Sequence, residues 1–238
     1  MHRPNLNDLS AQQRTQLARL IQQYVTPAIV NQHFNAPHEV HHDGSVFLSF
    51  HRNYLAGLDN FLVDQGHPDW VPVPYWNPAS RIPDEFNIPN QGPDRLVNLD
   101  PNVSFSPEFD EANLGNFDTD EELGMALMGP HNLVHDTIGG IMDDLRSPSA
   151  PIFWPWHSFI DDIWWTWQRT TVVTPECLGL SRGRARRLLE GVGLRVGQVS
   201  RQPGPGTRPG PRVVLDQAPG VGDRVVLGTA VDLVIGRR

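Results

Sequence analysis

Apolar positions change their spacing several times along the chain. Leu17, Leu20, Ile21 and Tyr24 recur at helical intervals inside residues 8–26, which predicts an amphipathic helix. Pro27 then falls at a break, or in the first turn of a second helix through Ala28–Phe34. The clearest pattern lies in residues 46–63. Phe47, His51, Tyr54, Leu58 and Phe61 form one continuous helical stripe, with Asp43 or Ser45 placed to cap it. Residues 64–118 have no period and are rich in proline; so long an irregular segment usually wraps a core or carries function. Thr119–Glu122 (TDEE) has capping-box spacing and opens a short helix through Met128. Another helix is expected after Pro130, ended or kinked at Gly139-Gly140. His157–Gln168 reads as a Trp-rich helix with Ile160, Trp164 and Trp167 on or near one face.

The pattern changes character near Thr170–Thr174. Beyond it come a strand, a turn, a helix with Ala185, Leu188 and Leu189 inward, and then short β-branched runs punctuated by Gly and Pro. Charge changes at the same place. Residues 1–170 carry a net −14 and residues 171–238 a net +6, and the chain has no lysine. Two units are therefore expected, 1–170 mainly α with long loops and 171–238 a small α+β domain. The basic second unit would suit an anionic surface, or is a solvated Arg-rich face.

The 238 residues contain no apolar run long enough to span a membrane. The N-terminus is polar and shows no signal peptide, which leaves localisation open between the cytoplasm, export with a partner and association with a cell wall. One cysteine, Cys177, excludes an intramolecular disulfide and a Cys/His zinc finger.

Histidine carries the candidate chemistry. His51 lies on an apolar stripe, where a lone histidine is more often a hydrogen-bonded core residue than a ligand. His42 lies nine residues earlier, about 180° out of phase on a continuous helix, but Asp43-Gly44 allows the chain to turn back toward His51. His131 and His135 form an i, i+4 pair that can chelate one ion, and His157 opens the next helix. Asp161, one turn on, would orient an imidazole or serve the helix dipole. The histidines thus form two groups: His42 and His51 with one from upstream, and His131, His135 and His157. Glu39-x-x-His42 resembles half of a di-iron motif, but no second copy exists. Two all-imidazole sites in a helical bundle point to a copper pair.

These residues resemble the tyrosinase family, the type 3 copper proteins that include catechol oxidases and haemocyanins. His42–DGSVFLSF–His51-Arg52-Asn53-Tyr54-Leu55 is similar to the family's first copper motif, and Pro74–Trp76 to the Pro-Tyr-Trp that follows it. His131-Asn132-Leu133-Val134-His135, Gly139-Gly140 and FWPWHSFIDDIWWTWQ are similar to the second, with Trp156 in place of the first His of the family's pair and His157 as the other. The resemblance covers residues 10–170. It implies a four-helix-bundle dicopper core, with two copper ions and O2 as co-substrate, that oxidises a small phenolic substrate. The remaining ligand fits His33, with His38 the alternative; His2, His41 and His67 are bystanders. The family's water-holding Glu and Asn match Glu122 and Asn132, although Glu122 also suits the capping box. Leu145 falls near the family's substrate-gating position, and Phe153 resembles the Phe that packs against the metal site.

Several positions depart from the pattern. Ser49-Phe50 replaces Pro-Trp, Ala150-Pro151 replaces Asp-Pro, Asp161-Asp162 replaces Asp-Arg, and no cysteine lies near the first site. These changes put the substrate range in doubt. Rival readings are an O2 carrier, a zinc hydrolase on three histidines, and a metal-free interaction protein. Residues 171–238 resemble a PASTA domain, through the Leu-Ser-x-x-x-Ala-x-x-x-Leu helix and the Gln-x-Pro-x-x-Gly turn, which implies cell-wall fragments as a partner. A copper-delivery companion protein is a further partner known in part of the tyrosinase family. No nucleic-acid partner is expected.

Overall fold

The computed structural model describes residues 3–87, 95–202 and 211–237. His2, Pro89, Pro93 and the Gly/Pro-rich stretch 203–210 lie outside them. The chain divides into two compact units: residues up to Ser106 with Asp120–Thr166, and Pro107–Thr119 with Trp167 onward. The first is mainly helical and the second contains strands. No described helix is long and apolar enough to cross a membrane.

In the first unit, α1 spans Ala11–Tyr24 and starts at Ser10, whose hydroxyl and Gln13 form a reciprocal capping box. Its stripe buries Leu17, Ala18, Leu20 and Ile21. α2 spans Pro27–Phe34, with Thr26 as N-cap and Pro27 in the first turn, where its missing N–H costs nothing. α3 spans Gly44–Asp64, capped by Asp43 through the Val46 N–H at 2.9 Å. Phe47, His51, Tyr54 and Leu58 are buried along it, as the stripe requires, and the Tyr54 hydroxyl donates to the Ile29 carbonyl of α2.

α4 spans Asp120–Ile138 without interruption. The break expected at Pro130 does not occur. Leu123, Leu127, Val134 and Ile138 keep one buried stripe through the proline, and this packing outweighs a cost of roughly 3 kcal/mol for proline inside a helix. Gly139 ends the helix with φ +67°, and a Cβ on Gly140 would stand 1.9 Å from the Arg95 carbonyl oxygen.

α3 and α4 cross at glycine. A Cβ on Gly44 would lie 2.1 Å from the Glu121 carbonyl oxygen, and one on Gly124 would lie 2.2 Å from the Gly44 carbonyl oxygen. The backbones therefore touch, and only glycine fits on either side. α5, Phe153–Thr170, closes the unit with Phe153, Trp154, Trp156 and His157 buried. The irregular segment wraps this core in short 3₁₀ turns and buries Trp70, Trp76, Ile82 and Phe86.

The second unit holds two small sheets. β1 (Thr171–Val173) pairs antiparallel with β4 (Arg224–Val226). β2 (Arg195–Arg201), β5 (Ala230–Arg237) and β3 (Arg212–Ala218) form a second sheet in that order, β2 parallel and β3 antiparallel to β5. α6 (Arg182–Gly191) places Ala185 and Leu189 in a core with Cys177, Leu194, Val214, Val231 and Leu233. Leu188, expected inward, is 36% exposed. Ala185 and Leu189 lie at i, i+4, and a helix this short needs only that narrow stripe. The Gln217 side chain accepts from the Cys177 N–H at 2.8 Å and donates to the Pro175 carbonyl at 3.1 Å.

Candidate metal centre

Three helices supply the inner histidines. His51 comes from the buried stripe of α3, His131 and His135 from one face of α4, and His157 from the second turn of α5. Their rings converge, with centroids 4.5 Å apart for His51 and His157, 4.5 Å for His131 and His135, and 5.1 Å for His131 and His157. His33, near the end of α2, reaches the group with its ring 5.7 Å from that of His51. One ring nitrogen each of His51, His131 and His157 all lie within 4.8 Å of one another. The Gly44–Gly124 crossing makes this possible, because bulkier residues would hold α3 and α4 apart.

Hydrogen bonds fix the rings. His51 and His157 direct Nδ1 at the carbonyls of Phe47 and Phe153, four residues earlier on their own helices, each at 2.8 Å. His33 Nδ1 meets the Leu145 carbonyl at 2.7 Å, and His135 Nδ1 meets the Met142 carbonyl. A carbonyl only accepts, so the proton sits on Nδ1 and the Nε2 lone pair is free. His51 Nε2 and His135 Nε2 are buried with no partner among the described residues. Unpartnered buried acceptors are costly unless a ligand meets them. The pattern is that of metal-binding imidazoles, whose second nitrogen is held by an outer partner.

Electrostatics agree. Burial lowers the pKa of His33 and His135 to about 4, against the partial help of their carbonyl partners. His51, His131 and His157 are pushed well below the usual histidine range by burial first and by the neighbouring imidazoles second. All five are therefore neutral near pH 7, the form that binds a metal ion. The five-nitrogen donor set, with two orphaned acceptors, fits imidazole-loving ions such as copper.

The remaining candidates stand elsewhere. His42 stacks on His38 with centroids 3.8 Å apart, in and after the 3₁₀ turn His38–His41, and is not drawn into the cluster. His41, read as a bystander, instead has its ring 6.1 Å from that of His33 and lines the same cavity. His67 stacks on Trp70. Asn132 lines the cavity and its Oδ1 lies 3.0 Å from His131 Nδ1. Glu122 is exposed in the first turn of α4, half a turn out of phase with His131. Phe153 is fully buried and stacks on His157 at 3.8 Å.

Asp161 does not orient His157. It receives Arg3 Nε at 2.9 Å and the Arg52 Nε, and Arg52 also covers the Trp164 ring at 3.6 Å. This buried clamp ties the N-terminal segment, α3 and α5 together beside His51 and His157. Gly44 was read from the sequence as part of a turn and not as a helix crossing, and Gly124 and the carbonyls of Met142 and Leu145 were not read from it. A Gly pair on two facing helices is a usable signal, whereas a backbone carbonyl leaves none.

The cavity above the cluster has a volume of about 220 Å³ and opens between His33, His135, Asn132 and the segment Met142–Leu145. A larger hollow of about 530 Å³ beside Gln22, Thr26 and Asn31 offers no histidine, cysteine or carboxylate among the described residues.

Comparison with known proteins gives a consistent set. The model "Common central domain of tyrosinase" matches residues 16–104 and 94–170. Tyrosinase HcTyr1 of Hahella sp. (strain CCB-MM4) is 30% identical over an alignment covering 51% of this chain and 36% of that one. A tyrosinase of Streptomyces antibioticus is 44% identical over 45 residues, 19% of this chain and 16% of that one. Hemocyanin 2 of Megathura crenulata is 26% identical over 53% of this chain and 5% of its own length. The chain thus spans about a third or less of the length of these relatives.

Proposed function

Since the chain belongs to the tyrosinase family of type 3 copper proteins, a family that implies a dicopper site, we propose that it oxidises o-diphenols and phenols to o-quinones with O2. The observation that carries the reading is the convergence of five neutral histidines with His51 Nε2 and His135 Nε2 buried and unpartnered. The proposed ligand set is His33, His42 and His51 for one ion and His131, His135 and His157 for the other, in a four-helix-bundle core. His42 enters the set by its match to the first histidine of the family's first copper motif, although here its ring stacks on His38. The bound copper pair would supply O2 binding and accept the electrons of the substrate.

The chain's own residues do the rest. The carbonyls of Phe47, Met142, Leu145 and Phe153 hold the Nδ1 protons, so each ring turns Nε2 inward without needing to lose a proton. Phe153 covers His157 and, with Phe47, limits water around the rings. Low local polarity strengthens every charge interaction at the centre. The cavity, about 220 Å³ and lined by His135 and Asn132, is of a size for a single aromatic ring.

Hydroxylation of monophenols needs a proton acceptor for the phenol, and the proposed one is a water held by Asn132 and Glu122. The support is unequal. Asn132 lines the cavity, whereas Glu122 is exposed and out of phase with His131. That placement favours a second reading, oxidation of o-diphenols alone. Loading with copper and assaying 4-methylcatechol and 4-methylphenol separates them: quinone from both supports the first, from the catechol only the second, and from neither contradicts both.

For residues 171–238 we propose a PASTA-like module that binds cell-wall fragments, a reading supported by one helix on a three-stranded sheet and by the Gln217–Gly222 turn. A pull-down of the full chain on purified cell-wall material tests it; no retention would contradict it.

A further inference from the structure

The segment Met142–Leu145 is anchored at both ends by the histidine cluster. The Met142 carbonyl accepts from His135 and the Leu145 carbonyl from His33. Between these anchors lie Asp143 and Asp144, so their position over the cavity is set by the same bonds that orient two of the imidazoles. Asp136, one residue beyond His135 on α4, adjoins Asp143. All three carboxylates line the cavity.

Only one of them is neutralised. Asp144 is chelated by Arg146, through the backbone N–H at 2.7 Å and the guanidinium at 2.9 and 3.1 Å. No arginine among the described residues lines the cavity, and the chain contains no lysine. Asp136 and Asp143 are hydrogen-bonded to each other side chain to side chain and have no ion pair among the described residues. Two adjacent carboxylates repel each other, and a cation placed beside them relieves that repulsion. The cavity wall between them and the histidines is completed by Met142 and Leu145, which suit the face of an aromatic ring.

A phenol that enters hydroxyl first leaves its opposite end at this mouth. We propose that the cavity selects phenols and catechols bearing a protonated amine, of the arylethylamine class, over those bearing a carboxylate, and that Asp136 and Asp143 make the distinction. The proposal rests on the phenol-oxidising reading and names its substrate class. Asp143 is exposed and belongs to no proposed ligand, so Asp143→Asn isolates its charge.

The test has two arms. In the first, phenethylamine and 3-phenylpropionate, which carry no oxidisable hydroxyl, are compared for binding to the metal-free chain by ligand-observed NMR at low and high salt. The amine should bind roughly tenfold better, and the preference should shrink with salt and in Asp143→Asn. In the second, kcat/KM of the copper-loaded chain is compared for dopamine, 3,4-dihydroxyphenylpropionate and the neutral 4-methylcatechol. Dopamine should lead the acid by a similar factor, and Asp143→Asn should narrow that gap more than it alters 4-methylcatechol. Oxidation of 4-methylcatechol with no preference for the amine, or a preference that survives Asp143→Asn at full size, would overturn the proposal alone. A binding preference with no oxidation of any catechol would instead remove the oxidase reading and leave the charge selection standing.

Discussion

His131 Nε2 and His157 Nε2 stand 3.0 Å apart, although the residues lie on different helices. Each ring has its other nitrogen engaged, His131 with Asn132 Oδ1 and His157 with the Phe153 carbonyl. With the His131 proton on Nδ1 toward Asn132 Oδ1, two neutral lone pairs face each other, an arrangement that a shared proton or a cation relieves. Burial and the neighbouring imidazoles disfavour the proton. A metal ion held by both nitrogens relieves it, as the grouping of His51, His131 and His157 allows. His157→Ala is expected to lower bound copper by one ion per chain or more and to abolish quinone formation; unchanged copper content by elemental analysis would contradict the assignment.

The lowered histidine pKa values give a pH dependence with a definite sign. In the unfolded chain these residues take up protons below about 6.5. In the folded metal-free chain His33 and His135 wait until about 4. Between those values the unfolded state binds more protons, so stability falls as pH falls, by about 1.4 kcal/mol per pH unit for each such histidine. Above 6.5 they contribute no slope. Urea denaturation of the metal-free chain at pH 7.5, 6 and 5 should show the loss confined to the acid side, and a flat profile would contradict the buried neutral state.

Gly44 and Gly124 set the approach of α3 and α4. The atoms a Cβ would meet are backbone, which cannot rotate away. Gly124→Val is expected to cost about 3 kcal/mol and to reduce copper binding, because separation of the helices pulls His51 from His131. Thermal melting and copper analysis check it; a stable variant with full copper would contradict the role of the crossing.

Asp161→Ala leaves the nearly buried Arg3 with only Asp59, at 3.9 Å, as a charge partner and removes the Arg52 contact. Breaking such a pair costs about 3–5 kcal/mol. The expected result is a clear drop in the denaturation midpoint; a change under 1 kcal/mol would show that solvent replaces the clamp.

Asn132→Ala separates the two oxidation reactions. Phenol hydroxylation should fall at least tenfold more than catechol oxidation if Asn132 helps to accept the phenol proton, a contribution in the usual range for acid–base assistance. Parallel kcat measurements on 4-methylphenol and 4-methylcatechol decide it, and equal losses would reduce Asn132 to its contact with His131.

The sequence revealed His51 because a polar residue interrupted a strict apolar stripe, and the His131–His135 pair because i, i+4 spacing places both on one face. Pro130 misled, since local propensity pointed to a break that the tertiary packing of Leu127 and Val134 overrides. The Asp161 partners were invisible because Arg3 lies far away in the chain, and ion pairs across such separations leave no periodic trace. His41 and His42 are adjacent, and which of them faces His33 depends on the 3₁₀ turn His38–His41, a feature without a spacing signature.

The central claim is that this histidine cluster holds a pair of copper ions. The most direct measurement is copper per chain after loading and removal of excess metal, on the wild-type chain and on His51→Ala and His135→Ala. Two ions in the wild type, with a loss in each variant, is the predicted result. One ion or none in the folded wild-type chain, or two that persist in both variants, would contradict it.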